Sequence, residues 1–239
     1  MHLSATLRVI AVVVVMAVAP AAAWGVTIYA TDFEQSEGYS LGGLNGQQGW
    51  TGDVDTTVQS GDKSSGDWAV QMAADGSYTS QFNDMAKRTF TDPSGTYALV
   101  TIAQDVKVTA TDEAEYLVAT MDGATRTNSV VFSFGGGILV NGSYTGYNWL
   151  VGSWRTLTMT LDFDAETMDV DYSGTLIADD VSFEASGGLT ELLLATDDYV
   201  GSGSSMYYDK LSITAIPEPL SLSVLAAGLV GLWLRRRGR

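Results

Sequence analysis

The residues with the clearest capacity for chemistry are carboxylates. Asp162, Asp164 and Glu166 alternate toward the tip of a hairpin, and in the simplest register Asp162 faces Asp169 across the pair. Like charges directly opposite one another are destabilising unless solvent or a cation relieves them. Calcium takes about six to eight oxygens, and turn carboxylates with backbone carbonyls supply such ligands. Asp162, Asp164, Glu166 and Asp169 therefore form the candidate calcium site, beside the plainer reading of a solvated acidic face. No Asp-x-Asp-x-Asp-Gly loop is present. Asp179-Asp180 and Asp197-Asp198 read as further acidic loop pairs, open to the same two readings.

A second chemistry is sugar binding. The loop Tyr144-Thr145-Gly146-Tyr147-Asn148-Trp149 gathers three aromatic rings and an amide. Flat rings stack on sugar faces and the amide bonds to hydroxyls, so Tyr144, Tyr147, Asn148 and Trp149 are the candidate glycan site. In the other reading, Trp149 and Trp154 seal a core edge and the tyrosines cover it. Trp50 and Trp68 read as core. The glycines near Gly135 and Gly201 lack a Lys-Ser/Thr follow-on, so they read as turns and not as phosphate cradles.

Composition closes most other routes. The 239 residues include no cysteine and a single histidine, His2. Thiolate metal sites, disulfides and cysteine nucleophiles are excluded. Once the N-terminus is removed no imidazole remains, which ends histidine general bases and His-ligated zinc or haem. Twelve Lys and Arg stand against 28 Asp and Glu, a formal net charge of −16 that repels phosphate backbones, so no nucleic-acid partner is expected.

Two ends read as addresses. Arg8, the apolar run Val9 to Ala19, Pro20 and Ala21-Ala22-Ala23 make a secretory signal peptide over 1–23, the substrate of signal peptidase. At the other end, Pro217-Glu218-Pro219 precedes the apolar run Leu220 to Leu234 and then Arg235-Arg236-Arg237-Gly238-Arg239. That run would extend roughly 22 Å as a helix, short of a bilayer core about 30 Å thick, and snorkelling arginines would help it span. The arginines stay cytoplasmic and the body lies outside. Between the ends, residues 24–215 carry 27 acidic and 7 basic side chains, near −20.

That body reads as strands throughout. Val26 to Ala30, Trp68 to Met72, Tyr97 to Val108, Tyr116 to Met121, Val130 to Phe134, Ile138 to Val140, Glu191 to Ala195 and Met206 to Thr214 are the candidates. Leu157, Met159, Leu161 and Phe163 fall on one face and Thr156, Thr158, Thr160 and Asp162 on the other. This is the period-two signature of a half-buried antiparallel strand. Met168, Val170 and Tyr172 continue the inward face after a turn. No body segment has a helical period. The fold class expected is an all-β, two-sheet antiparallel sandwich of jelly-roll type, flanked by an N-terminal signal helix and a C-terminal single transmembrane helix.

The arrangement from Ile216 to Arg239, with its Pro-Glu-Pro, short apolar helix and terminal arginine cluster, resembles the PEP-CTERM sorting tail of exported bacterial proteins. The resemblance implies that an exosortase recognises Pro217, Glu218 and Pro219. The helix, a transient membrane anchor, is then discarded with Arg235, Arg236 and Arg237. The body passes to the cell surface or extracellular matrix, in bacteria that make exopolysaccharide. Asp32-Phe33-Glu34 with Gly38 to Trp50, the hairpin Trp154 to Gly174, and Tyr208 to Ile213 together resemble concanavalin A-like and laminin-G-like jelly rolls, with the closing strand beside the first. That fold hosts lectins, glycanases and inert spacers, so it does not assign a function. Jelly-roll glycanases of the laminarinase type carry Glu-x-Asp-x-x-Glu on one strand, and no such string occurs; Asp112-Glu113-Ala114-Glu115 has the wrong order. The expectation is a non-enzymatic surface or matrix protein associated with extracellular polysaccharide, without a cofactor unless calcium binds. A glycan-binding module is the second reading, and a glycoside hydrolase the third.

Overall fold

The computed structural model describes residues 25–53, 55–74, 84–110, 114–198 and 203–217. The signal segment 1–23, Glu218, Pro219 and the arginines 235–237 lie outside the described residues. Among those described, no helix is long and apolar enough to cross a membrane.

In chain order the strands are β1 (Val26–Thr31), β2 (Gly42–Gly43), β3 (Trp50–Gly52), β4 (Thr56–Gln59), β5 (Ala69–Ala73), β6 (Asp84–Thr89), β7 (Leu99–Val108) and β8 (Ala114–Asp122). They continue with β9 (Thr125–Phe132), β10 (Gly137–Val140), β11 (Ser143–Asn148), β12 (Arg155–Asp162), β13 (Thr167–Tyr172), β14 (Thr175–Ser182), β15 (Glu191–Asp198) and β16 (Ser205–Ile216). One 3-10 turn, Gln35–Glu37, interrupts them.

These strands form two antiparallel sheets. A nine-stranded sheet runs β14-β13-β12-β7-β16-β5-β4-β2, with β1 paired to β16 beyond the end of β5. A seven-stranded sheet runs β11-β10-β9-β8-β15-β6-β3. The closing strand β16 lies beside the first strand, Ala30 opposite Ser212.

Alternation explains the nine-stranded sheet. In β12 Leu157, Met159 and Leu161 are buried; in β13 Met168, Val170 and Tyr172 are buried opposite them. Val100, Ile102, Val106 and Val108 add the same inward file from β7. Between the sheets sit Phe33, Trp50, Tyr116, Phe132 and Tyr208, all fully buried. The Trp50 indole N–H donates to the hydroxyls of Tyr39 at 3.1 Å and Tyr29 at 3.2 Å, so its one polar atom is satisfied in the core. Phe33 occupies a left-handed backbone position at φ 60°, unusual for a bulky residue. Its N–H donates to Thr31 Oγ1 at 2.9 Å, and its ring meets Tyr39 edge-on, which holds the bend.

The centre of the seven-stranded sheet is buried on both faces. Tyr116, Val118, Val130, Phe132, Leu192 and Leu194 point to the inter-sheet core. Leu117, Ala119, Met121, Leu193 and Ala195 form a second buried cluster on the outer face. Strands apolar on both sides read as continuous runs, which is why Leu192 to Ala195 shows no alternation.

Three expectations are corrected. The segment Tyr144 to Asn148 is not a loop but the edge strand β11, extended because it pairs with β10. Asp179-Asp180 and Asp197-Asp198 lie in strands β14 and β15 rather than in loops. Asp162 does not face Asp169: Asp162 pairs with Thr167, and Asp169 pairs with Thr160. A tight turn at the hairpin tip sets this register, with Asp162 Oδ1 accepting the N–H groups of Asp164 at 3.0 Å and Ala165 at 2.8 Å.

Candidate functional site

The outer face of the seven-stranded sheet carries a polar row at one end. Because Tyr116 and Thr196 turn inward, their neighbours Glu115 and Asp197 turn outward, and the two are paired directly across β8 and β15. The next strand brings Ser133 level with Glu115, and its hydroxyl donates to Glu115 Oε1 at 2.9 Å. The Ser133 N–H donates to the Gly137 carbonyl at 2.9 Å, and Gly137 pairs with Asn148 on β11. Asp197, Glu115, Ser133, Gly137 and Asn148 thus cross five adjacent strands in one line. Four inter-strand spacings amount to about 19 Å.

The exposed Tyr144 ring closes the line at the sheet edge. Tyr144 is 59% exposed and Tyr147 is 43% exposed. The Tyr144 hydroxyl donates to Asn148 Oδ1 at 2.9 Å. The Tyr144 ring crosses Gly137 so closely that a Cβ there would lie 2.6 Å from its Cε2 atom. Glycine at 137 is therefore what lets the ring approach the strand this closely. Trp149, by contrast, is only 4% exposed and belongs to the inter-sheet core. Its indole N–H donates to the Ser133 carbonyl at 3.1 Å, so it offers no free face to a ligand. Of the four candidate sugar contacts, the structure joins Tyr144 to Asn148, leaves Tyr147 exposed on the same edge strand, and takes Trp149 inside.

At the other end of the row, Asp197 is 7% exposed and its Oδ1 atom has no hydrogen-bond partner. Burial first, and the facing Glu115 second, push its carboxyl pKa up. Sequence reasoning missed this pair. Glu115 ends the acidic stretch Asp112-Glu113-Ala114-Glu115 and Asp197 sits in an Asp-Asp doublet, and nothing local says that they meet.

The acidic hairpin disperses. Asp162 serves the turn, and Glu166 Oε2 accepts the Ser186 hydroxyl at 2.9 Å. Asp164 stands exposed at the tip. Asp169 instead joins Asp179 and Asp180, whose carboxylates approach within 4.8 Å of one another. Asp169 Oδ1 also accepts the Asp180 N–H at 2.8 Å. This triad, unlike the hairpin quartet, has carboxylates close enough together to share a hard cation.

No family model and no curated protein matches the chain. Solved structures do match in fold. A sialidase superposes with a TM-score of 0.54 at 10% identity, over 70% of this chain and 17% of its own. The binding domain of botulinum neurotoxin DC in complex with rat synaptotagmin II gives a TM-score of 0.53 at 10% identity, over 85% of this chain and 51% of its own. The same domain in complex with SialylT gives 0.52 at 11%, again over 85% and 51%. The chain thus spans about half of the toxin domains and less of the sialidase. At such identities the likeness is one of fold alone: the described chain is a two-sheet antiparallel β-sandwich of the jelly-roll kind found in these proteins.

Proposed function

We propose that the chain is an exported, lectin-like module that holds extracellular polysaccharide at the cell surface or in the surrounding matrix, without catalysing a reaction. The observation that carries this reading is the exposed Tyr144 ring hydrogen-bonded to Asn148 on edge strand β11, with Tyr147 exposed on the same strand. Flat rings bury sugar faces at little conformational cost, because a tyrosine has only two side-chain torsions to lose. Stacking of this kind needs no cofactor. The fold likeness to a sialidase and a toxin binding domain is in keeping with it. Delivery follows from the two ends: signal peptidase acts on 1–23, and an exosortase acts at Pro217-Glu218-Pro219 after the apolar run has anchored the chain in the membrane.

A polysaccharide pull-down tests the body. The wild-type protein is retained and the Tyr144→Ala, Tyr147→Ala double variant is not; equal retention of both defeats this reading. Intact-mass measurement of the surface form tests delivery. A species ending near residue 217 is expected, and one still ending at Arg239 defeats the sorting step.

A further inference from the structure

We propose that the open edge of β11 is a self-association surface, and that its partner is a second copy of this chain, paired edge to edge about a two-fold axis. The pairing does not depend on the lectin-like reading; only its consequence for polysaccharide binding does.

Three observations meet at this edge. β11 ends the seven-stranded sheet and is hydrogen-bonded on one side alone, to β10. All its residues except Thr145 are exposed. Strand edges are ordinarily guarded against pairing by shortness, charge or proline. Of the four strands that end the two sheet orders, β2 is two residues long, β3 is three, and β14 carries Asp179 and Asp180. β11 has six residues, with neither a charge nor a proline.

The second observation is charge. From Thr127 to Trp154 no side chain is charged, the longest such run in the chain, although the net charge is −16. The third is exposed apolar surface. Eight large hydrophobic side chains are exposed among the described residues, and five of them, Phe134, Tyr144, Tyr147, Leu150 and Val151, fall inside that run. Apolar side chains gathered in this way mark interaction sites.

A second copy fits these observations better than another partner. Two strongly acidic chains repel one another over most of their surfaces. At this corner an uncharged strand meets an uncharged strand, and a two-fold axis makes one patch its own complement. A basic partner would be drawn instead to the acidic remainder of the surface. Asp179 and Asp180 flank the joint on β14, which touches β11 from the other sheet, so salt should ease the approach. The bulge in β11 between Tyr144 and Asn148 limits how much of the edge can pair, and makes the joint short and the dimer weak.

Pairing leaves the sugar-facing side open. The hydrogen-bonding groups of a strand edge lie in the sheet, whereas side chains stand off its faces. With the two-fold axis perpendicular to the sheet, the Tyr144 rings of both copies stand on one continuous face. A repeating polymer could then be gripped twice, with avidity above that of a single site.

The test is sedimentation equilibrium of the full chain in mild detergent over a range of concentrations. The wild type should form a dimer that strengthens with added salt. Leu150→Glu and Tyr147→Glu should each weaken it by about ten-fold or more, without a fall in melting temperature. Leu41→Glu places the same charge at another exposed leucine outside the run, and should leave the dimer unchanged. A monomer at every concentration overturns the proposal. So does association that survives both Leu150→Glu and Tyr147→Glu, which would place the contact on the apolar run Leu220 to Leu234 or on another face. Equal weakening by Leu41→Glu overturns it as well. A dimer with these sensitivities that retains no polysaccharide upholds the joint and overturns the lectin reading.

Discussion

Asp209 Oδ2 accepts the backbone N–H groups of Ser64 at 2.9 Å and Ser65 at 3.0 Å, although Ser64 lies 145 residues earlier in the chain. Asp209 is fully buried in β16, and its Oδ1 accepts the N–H of Lys210 at 2.8 Å. Burial pushes its pKa up and the three N–H groups pull it down, with burial the larger effect. This carboxylate fastens the loop before β5 to the closing strand. Ser64 then reaches Asp105 on β7 with its hydroxyl.

Asp209→Ala should cost about 2–3 kcal/mol, since it removes charge-assisted bonds and leaves two loop N–H groups without an acceptor. Asp209→Asn should cost less, because the amide oxygen still accepts and no charge is buried. The midpoint of urea unfolding measures both, and a smaller loss for alanine than for asparagine would contradict the fastening role.

Alkaline pH should unfold the sandwich through its tyrosines. Burial raises the hydroxyl pKa of Tyr39, Tyr172, Tyr207 and Tyr208. Unfolded tyrosines ionise near pH 10. The folded chain holds these protons more tightly, so their contribution is intact below about pH 10 and is lost as pH rises toward the folded values. Melts above pH 10 should show a falling Tm, with tyrosinate absorbance from these residues rising at the transition rather than before it. Tyr208→Phe, which deletes a buried hydroxyl without a partner, should raise stability by about 1 kcal/mol.

Trp149 and Tyr144 should separate cleanly. Trp149→Ala removes a core side chain and should cost about 3–5 kcal/mol. Tyr144→Ala removes an exposed ring and should change stability by less than about 1 kcal/mol while it abolishes retention on polysaccharide. Thermal melts paired with pull-downs read both. If Tyr144→Ala is the less stable protein, the Tyr144 ring is structural.

The triad of Asp169, Asp179 and Asp180 should be under repulsion in calcium-free buffer. Asp180 has φ 50°, a conformation that asparagine also tolerates. Asp180→Asn should therefore stabilise by a few tenths of a kcal/mol, about the size of a surface charge pair. The sign should reverse in millimolar calcium if the triad captures the ion, which differential scanning calorimetry with and without calcium would reveal.

The hairpin of β12 and β13 is legible in the amino-acid sequence. Leu157, Met159 and Leu161 face a core while Thr156, Thr158 and Thr160 face outward, and one-sided burial writes itself as alternation. β15 was legible as a strand but not in its facing, since both faces of Leu192 to Ala195 are covered. β11 left no periodic trace, because neither of its faces is buried and only its partner β10 makes it a strand. β4, β6 and β14 escaped for a related reason, being short or polar stretches held by their neighbours.

From the amino acids alone came the β character, the acidic body, the two apolar ends and the exclusion of thiol and imidazole chemistry. These are matters of composition and local pattern, and they need no partner in space. Which carboxylates meet was decided by the tertiary structure. Asp162 and Asp169 lie seven residues apart and do not face each other, because the turn between them shifts the register. Glu115 and Asp197 are distant in the chain and stand opposite, because β8 and β15 are neighbours only once the whole sheet has assembled. Strand pairing over long separations depends on packing summed across the sandwich, and no local run of residues records it.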